Sequence, residues 1–158
     1  MSATYDQLEL DRQLCFALYA ASRSVMHTYG PLLDELSLTY PQYITLLVLW
    51  EEADQPMTVG AVGRRLRLDT GTLTPLLKRL ERMGLIRRVR DTADERRVLV
   101  ELTDEGMALR EEAASIPRRL IQQTGLSVND VVDLRSQLVQ LIDQLDHADQ
   151  ERVSAARD

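Results

Sequence analysis

The hydrophobic pattern changes period several times along the chain, and each change marks an element. Between Asp69 and Gly84, Leu73, Leu76, Leu77, Leu80 and Met83 recur at three and four residues, which places them on one face of a helix. The other face carries Thr70, Thr72, Thr74, Lys78, Arg79 and Arg82, hydroxyls and cations only. Asp69 or Thr70 caps the start, and Gly84 suits the left-handed residue past the end. Pro75 removes a backbone donor and is expected to bend the helix near its N-terminus. Upstream, Thr58 caps a short helix with Val59, Val62 and Leu66 as its stripe, so two helices meet across a tight turn as in a helix-turn-helix. Downstream, Ile86 to Arg90 and Arg96 to Leu102 read as strands, the second alternating through Val98, Val100 and Leu102, with DTADE as the hairpin tip. A hairpin in that position makes a wing.

The flanks read as helices. Residues 6–28 form the first, with Leu14, Leu18, Ala21 and Val25 as its stripe and Gly30 and Pro31 as its stop, followed by an irregular stretch from Leu32 to Leu38. Pro41, as first residue, opens PQYITLLVLWEE, which is apolar almost all round and is expected to be buried. After the wing, Thr103 caps a helix to about Gln123, bent or broken near Pro117. Ser127 caps the last helix, which runs to about residue 150. Its Val131, Leu134, Leu138, Leu141 and Leu145 form a heptad seam, with Val132, Val139 and Ile142 beside it. A stripe that wide fits a helix shared across a dimer; the alternative is an internal core helix. The expected fold is mainly α with a small β-hairpin wing (α+β), a winged helix-turn-helix.

Charge sharpens this picture. The chain has 158 residues and a formal net charge of -6. From Thr58 to Val100, 11 basic and 5 acidic side chains leave a net of +6, against -12 for the remainder. A basic helix and hairpin set in an acidic protein is the footprint of a DNA reader with one binding face. A two-fold dimer then places two recognition helices in successive major grooves, about 34 Å apart, on a palindromic site. One cysteine and two distant histidines, His27 and His147, imply no internal disulfide, no metal site and no cofactor. The longest apolar run, YITLLVLW, is too short for a membrane span and no secretory signal is evident, so a cytoplasmic protein is expected.

The segment DERRVLVELTDEG resembles the wing signature of the MarR family of winged-helix regulators, matched by Asp94, Arg96, Leu102, Thr103 and Gly106. DTGTLTPLLKRLERMGLIRR is similar to that family's recognition helix, and the resemblance spans nearly the whole chain. It implies a homodimer on a double-stranded DNA operator, with N- and C-terminal dimerisation helices. Arg96 with Arg97 is then the wing-tip cation pair for the minor groove, Arg88 joins the DNA contacts, and Asp94 orders the tip.

LDRQLCFALYAASR, with Tyr29 and LTYPQY further on, resembles the organic hydroperoxide sensors of this family. By that resemblance Cys15 is the redox-active residue, Tyr29 and Tyr40 come from the partner subunit to stabilise its thiolate, and Tyr19 and Phe16 line the pocket. A lone cysteine on a helix is otherwise an inert apolar residue. Only a thiolate attacks a peroxide, and phenol hydroxyls can donate hydrogen bonds to the sulfur anion. Attack yields a sulfenic acid and an alcohol. An apolar mouth favours organic hydroperoxides, at about 0.8 kcal/mol per buried methylene. Some relatives hold a second cysteine that captures the sulfenic acid; this chain does not, so Cys15 condenses with a low-molecular-weight thiol or oxidises further.

The implied organisation is residues 1–36 as N-terminal helix, redox sensor and part of the dimer interface, 37–102 as the DNA-binding region and 103–158 as C-terminal dimerisation helices, within one compact domain. The leading expectation is a repressor that leaves its operator when Cys15 is oxidised. Competing with it are a repressor released by a phenolic or other small organic ligand, with Cys15 passive, and a thiol peroxidase. The missing resolving cysteine and the basic winged motif weigh against an enzyme.

Overall fold

The computed structural model describes residues 5–155. Two single turns of 3-10 helix, Asp6–Leu8 and Leu10–Arg12, precede α1, Leu14–Asp34. The helix expected over 6–28 therefore starts later, because the Gln13 side-chain amide donates back to the carbonyls of Gln7 at 2.7 Å and Glu9 at 3.1 Å and its backbone stays extended. It also ends later, running through Gly30 and Pro31 instead of stopping there. Interior proline costs about 3 kcal/mol. Continuing the helix buries Leu32 and Leu33, worth about 1.5–3 kcal/mol each, so the burial wins. The stop is Ser37, at φ 56°, where the Leu38 N–H closes onto the Leu33 carbonyl at 3.0 Å.

A capping box of Thr39 and Gln42 opens α2, Tyr40–Glu51, in which Pro41 takes the second position, where its missing N–H is of no consequence. This helix is buried as expected, through Tyr43, Leu46, Leu49 and Trp50 among others. A two-residue strand, β1 (Met57–Thr58), leads into α3, Val59–Leu66, and α4, Thr70–Arg82. Thr58 and Asp69 are the respective caps, each accepting from a backbone N–H in the first turn. Helix α4 continues past Pro75 to Gly84, whose φ of 75° lets the Leu85 N–H reach the Leu80 carbonyl. Met83 sits at this turn and is 39% exposed, more open than the leucines of the same face.

Strands β2 (Ile86–Arg90) and β3 (Val98–Leu102) pair antiparallel, Ile86 opposite Leu102 and Arg90 opposite Val98. The short β1 adds to the other edge of β3, giving the order β1-β3-β2. Strand β3 begins at Val98 and not at Arg96, because the Arg96 and Arg97 N–H groups turn back onto the Asp94 side chain and carbonyl. Tyr43, Leu46, Val62, Leu73, Leu77, Leu80, Ile86 and Val100 are each at most 1% exposed and form the centre of the core.

Helix α5, Asp104–Ala113, is clasped to the end of α4. The Thr103 hydroxyl accepts from the Gly106 N–H at 3.0 Å and donates to the Gly84 carbonyl at 2.6 Å. Trp50 Nε1 donates to the Gly106 carbonyl at 2.8 Å. A Cβ on Gly106 would lie 2.0 Å from the Leu85 carbonyl oxygen, so only glycine fits this approach.

Packing divides the chain between Ile116 and Pro117 into two compact units. The second unit is the smaller of the two. It contains most of α6, Ile116–Thr124, and all of α7, Val128–Ala155, and no residue of α7 is buried. Ser127 and Asp130 cap α7 reciprocally, with three hydrogen bonds of 2.6 to 3.1 Å. No helix among the described residues is long and apolar enough to cross a membrane.

Candidate DNA-reading face and redox pocket

The α4 face opposite its leucines is exposed at Thr70, Thr72, Lys78, Arg79 and Arg82, and half-buried at Thr74. Thr72 is partly engaged at home, its N–H and hydroxyl donating to Asp69 at 2.8 and 3.1 Å. Those two bonds hold the Asp69 carboxyl below the usual carboxylate range, the backbone bond most of all. At the wing tip, the Asp94 carboxylate accepts from Arg96 Nε at 3.0 Å and a terminal guanidinium nitrogen at 3.2 Å, and hydrogen bonding from Arg96 lowers its pKa. Arg96 remains highly exposed, at 90% of its side chain, while Arg97 lies 3.6 Å from Asp91. Arg88 is placed differently from the other cations. Its backbone N–H, its Nε and one terminal guanidinium nitrogen donate to Glu81 of α4 at 2.6 to 3.0 Å, which braces the recognition helix against β2. The pattern of apolar positions hid Glu81, since a carboxylate on a basic helix face reads as a solvated charge.

A cleft of about 490 Å³ opens between the start of α4 and the wing. Thr70, Thr74, Arg88, Arg96 and Arg97 line it, with Leu77 at its floor. More than half of the residues expected to contact DNA therefore share one concave surface.

The residues expected to sense peroxide are spread over α1 and the start of α2. Cys15 is the second residue of the helix and exposed, Phe16 beside it is half-buried, and Tyr19 one turn on is exposed. The Tyr19 hydroxyl accepts from Arg23 at 3.1 Å, and the guanidinium carbon lies 5.6 Å from the ring centre. Tyr29 stands at the far end of the same helix. Its ring centre is 4.9 Å from that of Tyr40 and 6.0 Å from that of Tyr43. Burial, with the neighbouring Tyr40 and Tyr43 adding to it, pushes Tyr29 up to about 12. Burial raises Tyr40 and Tyr43 as well. All three phenols thus stay protonated and able to donate near neutral pH. Tyr43 was not singled out in the sequence, although YPQY places it one turn after Tyr40.

Within one chain Cys15 does not meet the cluster of Tyr29, Tyr40 and Tyr43. Cys15 and Tyr29 are separated by 14 positions of unbroken helix, about 21 Å at 1.5 Å per residue. Among the described residues no cluster of three His, Cys, Asp or Glu side chains could hold a metal ion.

The two-helix reader, its basic face and the hairpin define a winged helix-turn-helix regulator. The family model for the transcriptional regulator SarA/Rot matches residues 27–113. The organic hydroperoxide resistance transcriptional regulator of Bacillus subtilis (strain 168) is 47% identical over 92% of this chain and 97% of its own. The structure of reduced AbfR bound to DNA superimposes with a TM-score of 0.72 at 36% identity, covering 89% of this chain and 96% of that one. Overoxidized AbfR bound to DNA does so with a TM-score of 0.70, covering 89% and 97% at the same identity. The chain belongs to the MarR/SarA-type winged-helix transcriptional regulators, and among them to the organic hydroperoxide regulator type.

Proposed function

We propose that this protein is a homodimeric transcriptional repressor that binds a palindromic operator and leaves it when Cys15 is oxidised by an organic hydroperoxide. The observation that carries the reading is the unbroken α1, which holds Cys15 about 21 Å from Tyr29 of its own chain. A pocket that unites thiol and phenols needs two subunits, with Tyr29 and Tyr40 of one reaching Cys15 of the other. The exposed leucines of α7 and the exposed Leu14 of α1 supply apolar surface for such a partner.

The Cys15 thiolate attacks one peroxide oxygen; the S–O bond forms as the O–O bond breaks, giving a sulfenate and, after protonation, an alcohol. A low-molecular-weight thiol then displaces the sulfenic oxygen as water and leaves a mixed disulfide. AbfR is described bound to DNA in an overoxidized form, so in that protein added oxygen is compatible with binding. In this chain the bulky thiol adduct is the product with the steric means to displace Tyr29 and Tyr40. Moving a site from almost full to almost empty takes a change in state preference of about 5.5 kcal/mol. On the operator, Thr70, Thr72, Thr74, Lys78, Arg79 and Arg82 face the major groove, Arg96 and Arg97 reach the adjacent minor groove with Asp94 ordering the tip, and Arg88 acts through its brace to Glu81.

The test is operator affinity at fixed salt, measured by fluorescence anisotropy before and after a stoichiometric organic hydroperoxide plus a small thiol. Wild type is expected to lose at least about tenfold in affinity, more than 1.4 kcal/mol, while Cys15→Ser keeps its affinity. Equal behaviour of the two proteins would overturn the redox mechanism.

A further inference from the structure

Gln42 occupies an unusual place. It is 6% exposed, one of two buried polar residues in α2 with Thr45, and it lies between Tyr40 and Tyr43 in the first turn of that helix. Its two amide ends serve different elements. Oε1 accepts from the Thr39 N–H at 2.7 Å and the Thr39 hydroxyl at 3.0 Å, which closes the capping box. Nε2 donates across 41 residues to the Met83 sulfur at 3.4 Å, at the C-terminal end of the recognition helix. A thioether is a weak acceptor, so the bond contributes little to stability. Its geometry nevertheless joins the turn that carries the tyrosine cluster to the hinge of the reading head. Met83 precedes Gly84, whose positive φ ends α4 and whose carbonyl receives the Thr103 hydroxyl at 2.6 Å. Tyr40 lies in the same capped turn as Thr39, Pro41 and Gln42.

We infer that Gln42 is a positioning residue that couples the tyrosine cluster to the recognition helix through Met83. This rests on the peroxide-release reading above. Two substitutions isolate the contact. Gln42→Glu keeps the acceptor of the capping box and removes the donor to sulfur; Met83→Leu keeps the volume and removes the acceptor. Each variant is compared with wild type in Cys15 thiol loss on treatment with cumene hydroperoxide and glutathione, in thermal midpoint, and in operator affinity before and after treatment. The expected result is thiol loss at the wild-type rate and reduced-state affinity within about threefold of wild type, with release cut from tenfold or more to below about threefold. Full release by both variants would overturn the coupling and leave Gln42 as a cap alone. A loss of reduced-state affinity above about tenfold would also overturn it, since Gln42 would then serve only to hold the fold. Wild type that is oxidised but stays on DNA would refute the release reading, and the coupling with it.

Discussion

Helices α4 and α7 carry leucines at the same spacing of three and four, yet they end in opposite environments. In α4, Leu73, Leu76, Leu77 and Leu80 are buried within one chain; in α7, no residue is buried and Leu134 and Leu145 stand about half exposed. Periodicity reports which face of a helix needs cover and is silent on which molecule supplies it. The helix-turn-helix closes its core with its own residues, whereas the leucines of α7 and the proposed sensor pocket are left open in a single chain. The comparison predicts that damage to the first region unfolds the subunit and damage to the second separates subunits.

The largest effect is expected at Gly106. Replacement by alanine forces a Cβ against the Leu85 carbonyl, where backbone and not a flexible side chain must yield, and should cost at least about 3 kcal/mol. Urea unfolding checks it; a loss below about 1 kcal/mol would mean that α5 can slide away from β2 at little cost. Next, Leu134→Glu with Leu145→Glu should abolish the dimer in sedimentation and weaken operator binding by orders of magnitude. The helical signal in circular dichroism should change little. An undiminished dimer would locate the interface elsewhere. A smaller effect is expected at Arg96, exposed at the wing tip. Arg96→Ala should weaken binding and lower the slope of log affinity against log salt by about 1, whereas Arg88→Ala, which frees Glu81 beside the reading face, should also lower the thermal midpoint.

The smallest effect concerns pH. Burial raises Tyr29 in the folded chain to about 12, above the usual tyrosine pKa of about 10. The protonated phenol is the favoured folded form, so its contribution to stability is fully present below pH 10 and is lost as pH rises towards 12. The thermal midpoint should fall over that window, and Tyr29→Phe should flatten the fall. An identical slope in both proteins would assign the alkaline loss to other groups.

The reading helix was legible because its stripe, its cap Asp69 and its terminator Gly84 agree with one another. The wing strands were legible because alternation survives on a sheet with one buried face. The first helix was misjudged where local rules and burial conflict: Gly30 and Pro31 look like a stop, but Leu32 and Leu33 reach the core only if the helix continues. The left-handed terminators Ser37 and Arg67 lacked the glycine that marks such a turn, and β1 is too short to show a period. In the candidate site, Cys15, Tyr29 and Tyr40 came forward only through the resemblance to hydroperoxide sensors, while Tyr43 and Glu81 emerged only from what they pack against.

By itself the sequence determined the helix-turn-helix with its wing, the basic face and the single thiol, because each depends on residues close together in the chain. Only the tertiary structure decided that Arg88 braces Glu81, that Gln42 reaches Met83, and that Cys15 stands a helix length from its own tyrosines. These depend on where distant segments meet and on how far α1 runs unbroken, which burial in the core sets and local preference does not.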